Sequence, residues 1–425
     1  MRRRRWGYMA LWLVVALVLA ACAAPAAEQP QQSGTAGGET GGPETITIGT
    51  IYPRSGDMAL LGEESWRGAE LARLYRNKQG GINGKQIEFL NADAPNKDAA
   101  RAEAERLINK EGIKVIFGTY SSSLSYNATD VANRYGASYF ELGAISDPIT
   151  DRGFPYVWRT CPPASAFGKV QVKMVVDLIA PALGKQPEEI TVAFVHEDSL
   201  YGTTVTKFAK EAAVEAGLQI VAEQPYSAKT NDLSSVVLTL KDANPDVVIA
   251  VSYLTDAILL ARQSKELGFK PKFFIGAGGG HSMLDFAEAV GDDVVGVLNV
   301  DFTQYAINRD WVPGMDEFIA LYKETFNEPP RSGHSLANFM GALQAFEILE
   351  KAGSLDPEAI RAAALEMDVQ EGTTPTGWGV KFDPNTGQNM RALPVGLMWV
   401  KEGDTYQQVT VYPKAAALRE IIKGQ

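Results

Sequence analysis

Cysteine is nearly absent: Cys22 and Cys161 are the only two among 425 residues. Such a chain carries no disulfide framework, and one long enough to bury large cores does not need it. Histidine is almost as scarce. His196, His281 and His334 share no metal-type spacing, so a zinc site is not expected. No Gly-x-Ser-x-Gly elbow occurs, which argues against a serine hydrolase. Catalysis would also need a base beside a nucleophile, and only His196, next to Glu197 and Asp198, begins such a reading. The glycines around Gly276 to Gly280 lack the Lys-Ser/Thr that closes a phosphate loop, and His281 stands where a dinucleotide fingerprint needs glycine. No cofactor is therefore expected. Excess positive charge is missing too: 40 Lys and Arg against 51 Asp and Glu leave a net charge of −11, the wrong sign for nucleic acid.

A long apolar run occurs at the amino terminus. Arg2 to Arg5 form a positive segment, and Trp6 to Ala21 an apolar stretch of ~16 residues, too short for a comfortable membrane span and suited to an export signal. It ends Leu19-Ala20-Ala21-Cys22, which is similar to the bacterial lipobox, whose cysteine is lipidated and becomes the mature amino terminus. An ordinary signal or an anchor helix with an incidental cysteine is the alternative. Removing the leading arginines takes the net charge to about −15. The polar Gly/Pro/Gln/Thr tract from Ala23 to Pro43 cannot bury enough apolar surface to fold. The expectation is a signal peptide over 1–21, a lipid on Cys22 and a flexible tether over 22–44. This places the chain outside the cytoplasm on a bacterial membrane, facing the periplasm or the cell surface. Cys161 is expected to be packed and inert.

The remainder, in a chain 45% hydrophobic and 21% charged, has the balance of a soluble globular protein, and its length suggests two or three domains. From Thr45 onward, strand and helix patterns alternate. The strand Ile46 to Tyr52, a loop Pro53 to Gly62 and a helix Glu64 to Lys78 open the run. Gly80-Gly81-Ile82-Asn83-Gly84 then turns the chain into the strand Gln86 to Asn91. A helix over Lys97 to Lys110 precedes the strand Val115 to Phe117. Further strands fall at Ala137 to Glu141 and Tyr156 to Thr160. After Pro162-Pro163 the cycle restarts, with strands at Ile190 to His196, Leu218 to Glu223, Val247 to Val251 and Phe273 to Gly276. Such alternation predicts an α/β fold with parallel sheets covered by helices, here in two similar lobes. Three more helical segments and strands around Val380, Val395 to Val400 and Gln407 to Val411 predict that the chain recrosses between the lobes and makes a hinge.

One corner is chemically distinctive. The strand ending at Phe117-Gly118 runs into Ser121-Ser122-Ser123 and then a helix to about Arg134. Ligands of open parallel sheets sit at strand carboxyl ends, and free N–H groups at a helix start favour an anion. Serine hydroxyls add donors, so the corner suits a small carboxylate. A helix cap is the plainer role for serine there. Tyr201 and Tyr253 also follow strand ends, where packing at a lobe surface is the alternative.

These stretches, in this order, resemble the periplasmic-binding-protein type I family, specifically its leucine/isoleucine/valine-binding members. The resemblance covers roughly Thr45 to Pro413. It rests on the Ser55-Gly56 loop ending at Gly62, Gly80 to Gly84, the serine corner, Trp158-Arg159-Thr160-Cys161-Pro162, Tyr201-Gly202, and Gly377-Trp378-Gly379 with Gly387. It implies two Rossmann-like lobes joined by three crossovers: residues 45–163 with about 301–372, and 164–300 with about 373–425. It implies a ligand carboxylate on Ser122, with Ser121 and Ser123 as neighbours, a carbonyl and a hydroxyl from Ala144 and Ser146, aromatic contacts from Tyr201 and Tyr253, and a wall at Leu61. Where amino-acid binders carry a glutamate for the ligand ammonium, this chain has Gly278. A buried ammonium without a carboxylate is costly. Either Glu141, Asp256 or Asp301 replaces it, or the ligand is an aromatic acid, an amide or a urea-type molecule. The function implied is a solute-binding lipoprotein of an ABC importer, not an enzyme, whose partners are a branched-chain amino acid or related small molecule, the permease with its ATPase, and the membrane through lipidated Cys22. A sensory receptor with the same site, or an exported hydrolase, is the alternative.

Overall fold

The computed structural model describes residues 44–422; the export signal, Cys22 and nearly all of the expected tether lie outside them. The described chain begins with a five-stranded parallel sheet. Its strands are β1 (Thr45–Tyr52), β2 (Gln86–Asp93), β3 (Val115–Gly118), β4 (Ser138–Glu141) and β5 (Val157–Arg159), in the order β2-β1-β3-β4-β5. Three helices connect them: α1 (Ala59–Lys78), α2 (Lys97–Glu105) and α3 (Ser122–Tyr135). Helix α1 starts earlier than its sequence pattern predicts, because Gly62 is not a loop end. A Cβ there would lie 1.9 Å from the Pro53 carbonyl oxygen, so glycine lets the first turn of the helix press on the preceding loop.

Helix α4 (Ala164–Met174) passes through one wide turn at 175–179 into α5 (Ala180–Leu183) and leads to the second sheet. This sheet holds β6 (Thr191–Glu197), β7 (Gln219–Tyr226), β8 (Val247–Val251), β9 (Phe273–Gly276) and β10 (Leu298–Asp301), all parallel. Between them lie α6 (Leu200–Glu215), α7 (Ser234–Ala243), α8 (Leu254–Glu266) and α9 (Leu284–Val290). After α10 (Met315–Phe326), α11 (Gly333–Ala352) and α12 (Pro357–Leu365), two antiparallel strands close the edge. These are β11 (Val395–Glu402) and β12 (Thr405–Tyr412), giving the order β12-β11-β10-β9-β8-β6-β7. Strand β10 and helix α9 are absent from the sequence reading, and the strand expected around Val380 is only an isolated bridge to Val369.

Apolar alternation explains what packs where. Ile48, Phe117 and Phe140 face the apolar side of α11, with Phe117 and Phe346 rings 5.6 Å apart. Ile116 turns the other way, onto Leu124 and Val131 of α3. In the second sheet, Phe194 and Ile249 pack against Phe167 of α4 and Val205 of α6, while Val195 and Val248 meet Leu240 and Leu260 on the opposite face. Thus α10 to α12 return to the first sheet. Gly387 and Asn389 still hydrogen-bond Arg159 of β5 before β11 joins the second sheet. The last crossing therefore lies between Asn389 and Val395, later than the 373 read from the sequence.

Candidate functional site

Both sheets carry the same strand order about a switch point: β2-β1-β3 in one, β7-β6-β8 in the other. A crevice opens at the carboxyl ends of strands on either side of such a point. The serine corner follows β3, Tyr201 follows β6 and Tyr253 follows β8. Topology alone brings these three to two facing edges.

At the first edge, Ser121 precedes α3 with an extended backbone and no side-chain cap of its own. Its hydroxyl instead pairs with the Tyr253 hydroxyl at 3.2 Å, across the two sheets. The Ser122 hydroxyl accepts the Ser146 N–H at 3.2 Å, and the Ser146 hydroxyl donates to the Leu200 carbonyl at 2.9 Å, a second bond between the halves. Tyr201 donates to the Ala277 carbonyl, and its ring lies 5.3 Å from that of Tyr253. A cavity of about 20 Å³ remains between them, lined by Ser122, Tyr201 and Tyr253 together with Tyr120, Asp301 and His334.

The other expected positions have different places. Ser123 is half-buried, outside the cavity lining, and its carbonyl accepts from Asn127. Ala144 lies behind the lining formed by Gly143 and Ile145; its N–H goes to Glu141 and its carbonyl accepts the Cys161 thiol. Leu61 packs on Tyr120 and Met283 at the cavity's flank. Gly278 also stands behind the lining, with φ of +71° and its N–H on Asn299.

Gly278 explains its own identity. A Cβ at this position would sit 2.7 Å from Oδ1 of Asp301. The space a side chain would need is therefore taken by a carboxylate that arrives from β10 instead. Asp301 is buried, accepts from Ser282 and Gln304, and lies 3.9 Å from Nδ1 of His334. Burial pushes the Asp301 carboxyl up, opposed by the His334 ring and the Ser282 hydroxyl. Burial lowers the His334 ring, opposed by Asp301. The other two candidate acids are engaged elsewhere. Glu141 accepts the N–H groups of Thr119, Gly143 and Ala144, so it ties the serine corner to the next loop. Burial pushes its carboxyl up to about 7 against those bonds. Asp256 accepts the Tyr226 hydroxyl at 2.6 Å, and burial pushes it up to about 7.

Eight lining residues escaped the sequence reading as ligand groups, among them Phe167 and Phe302; two of the eight, Tyr120 and His334, carry polar groups on their rings. Tyr120 has φ of +123°, a costly conformation for a residue with a Cβ, and its ring meets His334 at 5.4 Å and Tyr253 at 6.3 Å. The spacing of His334 from the other two histidines bears only on a metal site. Among the described residues, no group of three or more His, Cys, Asp or Glu is arranged to hold a metal ion. The usable signal was positional: Tyr120 sits within the serine corner itself, and His334 follows the cap Ser332 at the start of α11.

The arrangement is an aromatic-walled slot with a serine hydroxyl at one edge and an acid at the other. It is suited to holding a small polar-ended molecule by both ends. The "Leu/Ile/Val-binding protein homolog 7" of Brucella suis is 45% identical over 377 residues, which are 88% of this chain and 93% of the relative. The branched-chain amino acid transporter substrate-binding protein LivJ of Streptococcus pneumoniae, solved with isoleucine, superposes with a TM-score of 0.72 at 20% identity, covering 87% of this chain and all of that one. A solute-binding protein of an ABC transporter from R. palustris, solved with 4-hydroxybenzoate, gives 0.75 at 20% identity over 89% of this chain and 98% of its own. A family model described as periplasmic binding protein matches residues 45–403, and the chain belongs to that family.

Proposed function

We propose that this chain is the substrate-binding component of an ABC importer and that its ligand is a branched-chain amino acid. The observation that carries this reading is that Ser122 and Asp301 line the same cavity from opposite sheets. The serine corner takes the ligand carboxylate, and Asp301, standing in for the acid missing at Gly278, takes the ammonium. The aliphatic side chain packs among Tyr120, Tyr201, Tyr253 and Phe302. Closure of the two lobes then buries the ligand, as hinge-type binding proteins do. The names of the relatives point the same way. Cys22 anchors the mature chain by its lipid outside the cytoplasm, where it hands ligand to the permease and its ATPase; anchoring raises the effective concentration at the permease.

A second reading has its own support: the cavity walls are aromatic, and Asp301 is pushed toward its neutral form, which suits a hydroxylated aromatic acid. A thermal-shift comparison of leucine, isoleucine and valine with 4-hydroxybenzoate separates the two. A rise in Tm with the aliphatic amino acids supports the first reading; a rise with 4-hydroxybenzoate alone replaces it with the second.

A further inference from the structure

A second cavity, of about 350 Å³, lies at the opposite end of the second sheet, between α8, α9 and the entries to β9 and β10. Tyr253 immediately precedes helix α8, whose last turn forms one wall, which places this cavity about 20 Å from the cleft at 1.5 Å rise per residue. It is separate from the site described above.

The walls are apolar and aromatic. Leu260 and Ala261 of α8, Phe286 and Val290 of α9, and Phe269 and Phe274 before and within β9 surround the space. The lining draws on two apolar clusters, one containing Leu240 and Leu260 and one containing Phe286. Its size falls in the range of small-molecule sites, and it is more than twice the size of an engineered cavity that takes benzene. The mouth, by contrast, is basic. Lys265, Lys270 and Lys272 stand there with one acid, Asp293, which pairs with Lys265 at 2.7 Å. Lys272 also reaches Asp246, which Lys185 pairs with as well; among the residues that line the cavity, three lysines stand with one acid on a chain whose total is −11.

An apolar pocket closed by lysines selects an amphipathic anion. We propose that this cavity is a binding site for a medium-chain aliphatic carboxylate, with the chain among the phenylalanines and the carboxylate at the lysines. Decanoate is the probe. Isothermal titration of the purified full chain should give saturable one-to-one binding, with decanol at least about tenfold weaker because it lacks the charge. Ala261→Trp, which fills the space, should abolish binding while far-UV circular dichroism stays unchanged; Ser264→Phe serves if that variant does not fold. Lys270→Glu should weaken decanoate and leave decanol unaffected. Binding that persists in a filled variant, equal affinity for decanol, or no saturable binding overturns the proposal. So does decanoate binding that appears only after residues 423–425 are removed, because the chain's own terminus would then be the occupant. Leucine affinity is measured in the same variants; the proposal stands or falls independently of the cleft ligand.

Discussion

Asp301 is the residue on which ligand identity turns. A carboxylate that is buried and already pushed up pays to ionise, and an ammonium 3 Å away would recover that cost. Asp301→Asn should therefore weaken leucine binding by two orders of magnitude or more, as expected when a buried charge loses its partner, on the order of 3 kcal/mol. Titration calorimetry checks it; unchanged affinity would remove Asp301 from the site. Ser122→Ala acts on the other end. It removes one acceptor for the Ser146 N–H and one donor for a carboxylate, so a loss of ten- to a hundredfold is expected, about 1.5–3 kcal/mol. The two substitutions should differ toward 4-hydroxybenzoate: Ser122→Ala weakens either ligand, whereas Asp301→Asn spares one without an ammonium.

At the scale of elements, the strands buried on both faces were legible. Val247–Val251 and Phe273–Gly276 have the bounds their apolar runs predict, because nothing polar interrupts them. Strand β10 was not legible: Leu298-Asn299-Val300-Asp301 alternates like a half-exposed edge, yet all four residues are buried. Its polar members look into the site and into the Gly278 loop, where Asn299 and Asp301 have specific partners. The pattern that hid the strand is the one that makes it functional. The serine corner was legible for the opposite reason, since a strand, a glycine and a helix start are all local. Tyr120 was not, because its ring contacts are with Tyr253 and His334, residues far away in the chain.

Helix α8 offers a test of how such buried groups affect the fold. Asp256, in its first turn, is held up to about 7 by burial, with Tyr226 as its donor and Glu197, itself raised by burial, as a neighbouring charge. The unfolded carboxyl titrates near 3.8. Between these values the folded state binds more protons than the unfolded one, so stability falls as the pH rises from about 4 to about 7. Asp256→Asn should flatten that slope by an amount on the order of 1–3 kcal/mol, measured by urea denaturation at pH 5 and pH 8. A slope unchanged in the variant would assign it to other groups.

Across the whole molecule, the cleft raises a question of access. A space of about 20 Å³ has room for one water and none for an amino acid, so the ligand enters when the two sheets move apart. Two side-chain hydrogen bonds bridge the sheets here, Ser121 to Tyr253 and Ser146 to Leu200. At about 1 kcal/mol each, together they shift the open–closed balance roughly 30-fold. The variant carrying both Tyr253→Phe and Ser146→Ala should therefore populate the open form. Small-angle X-ray scattering without ligand should show a larger radius of gyration than in the parent chain. Saturating ligand should bring the two to the same value, because the lobes that close are unchanged. Affinity would fall as well, since a ligand pays for the fraction of molecules not in the competent state. The scattering comparison is the decisive one: Tyr253 lines the cavity and Ser146 bonds Ser122, which also does, so a loss of affinity with no change in the unliganded radius would mean that they hold the ligand rather than the hinge.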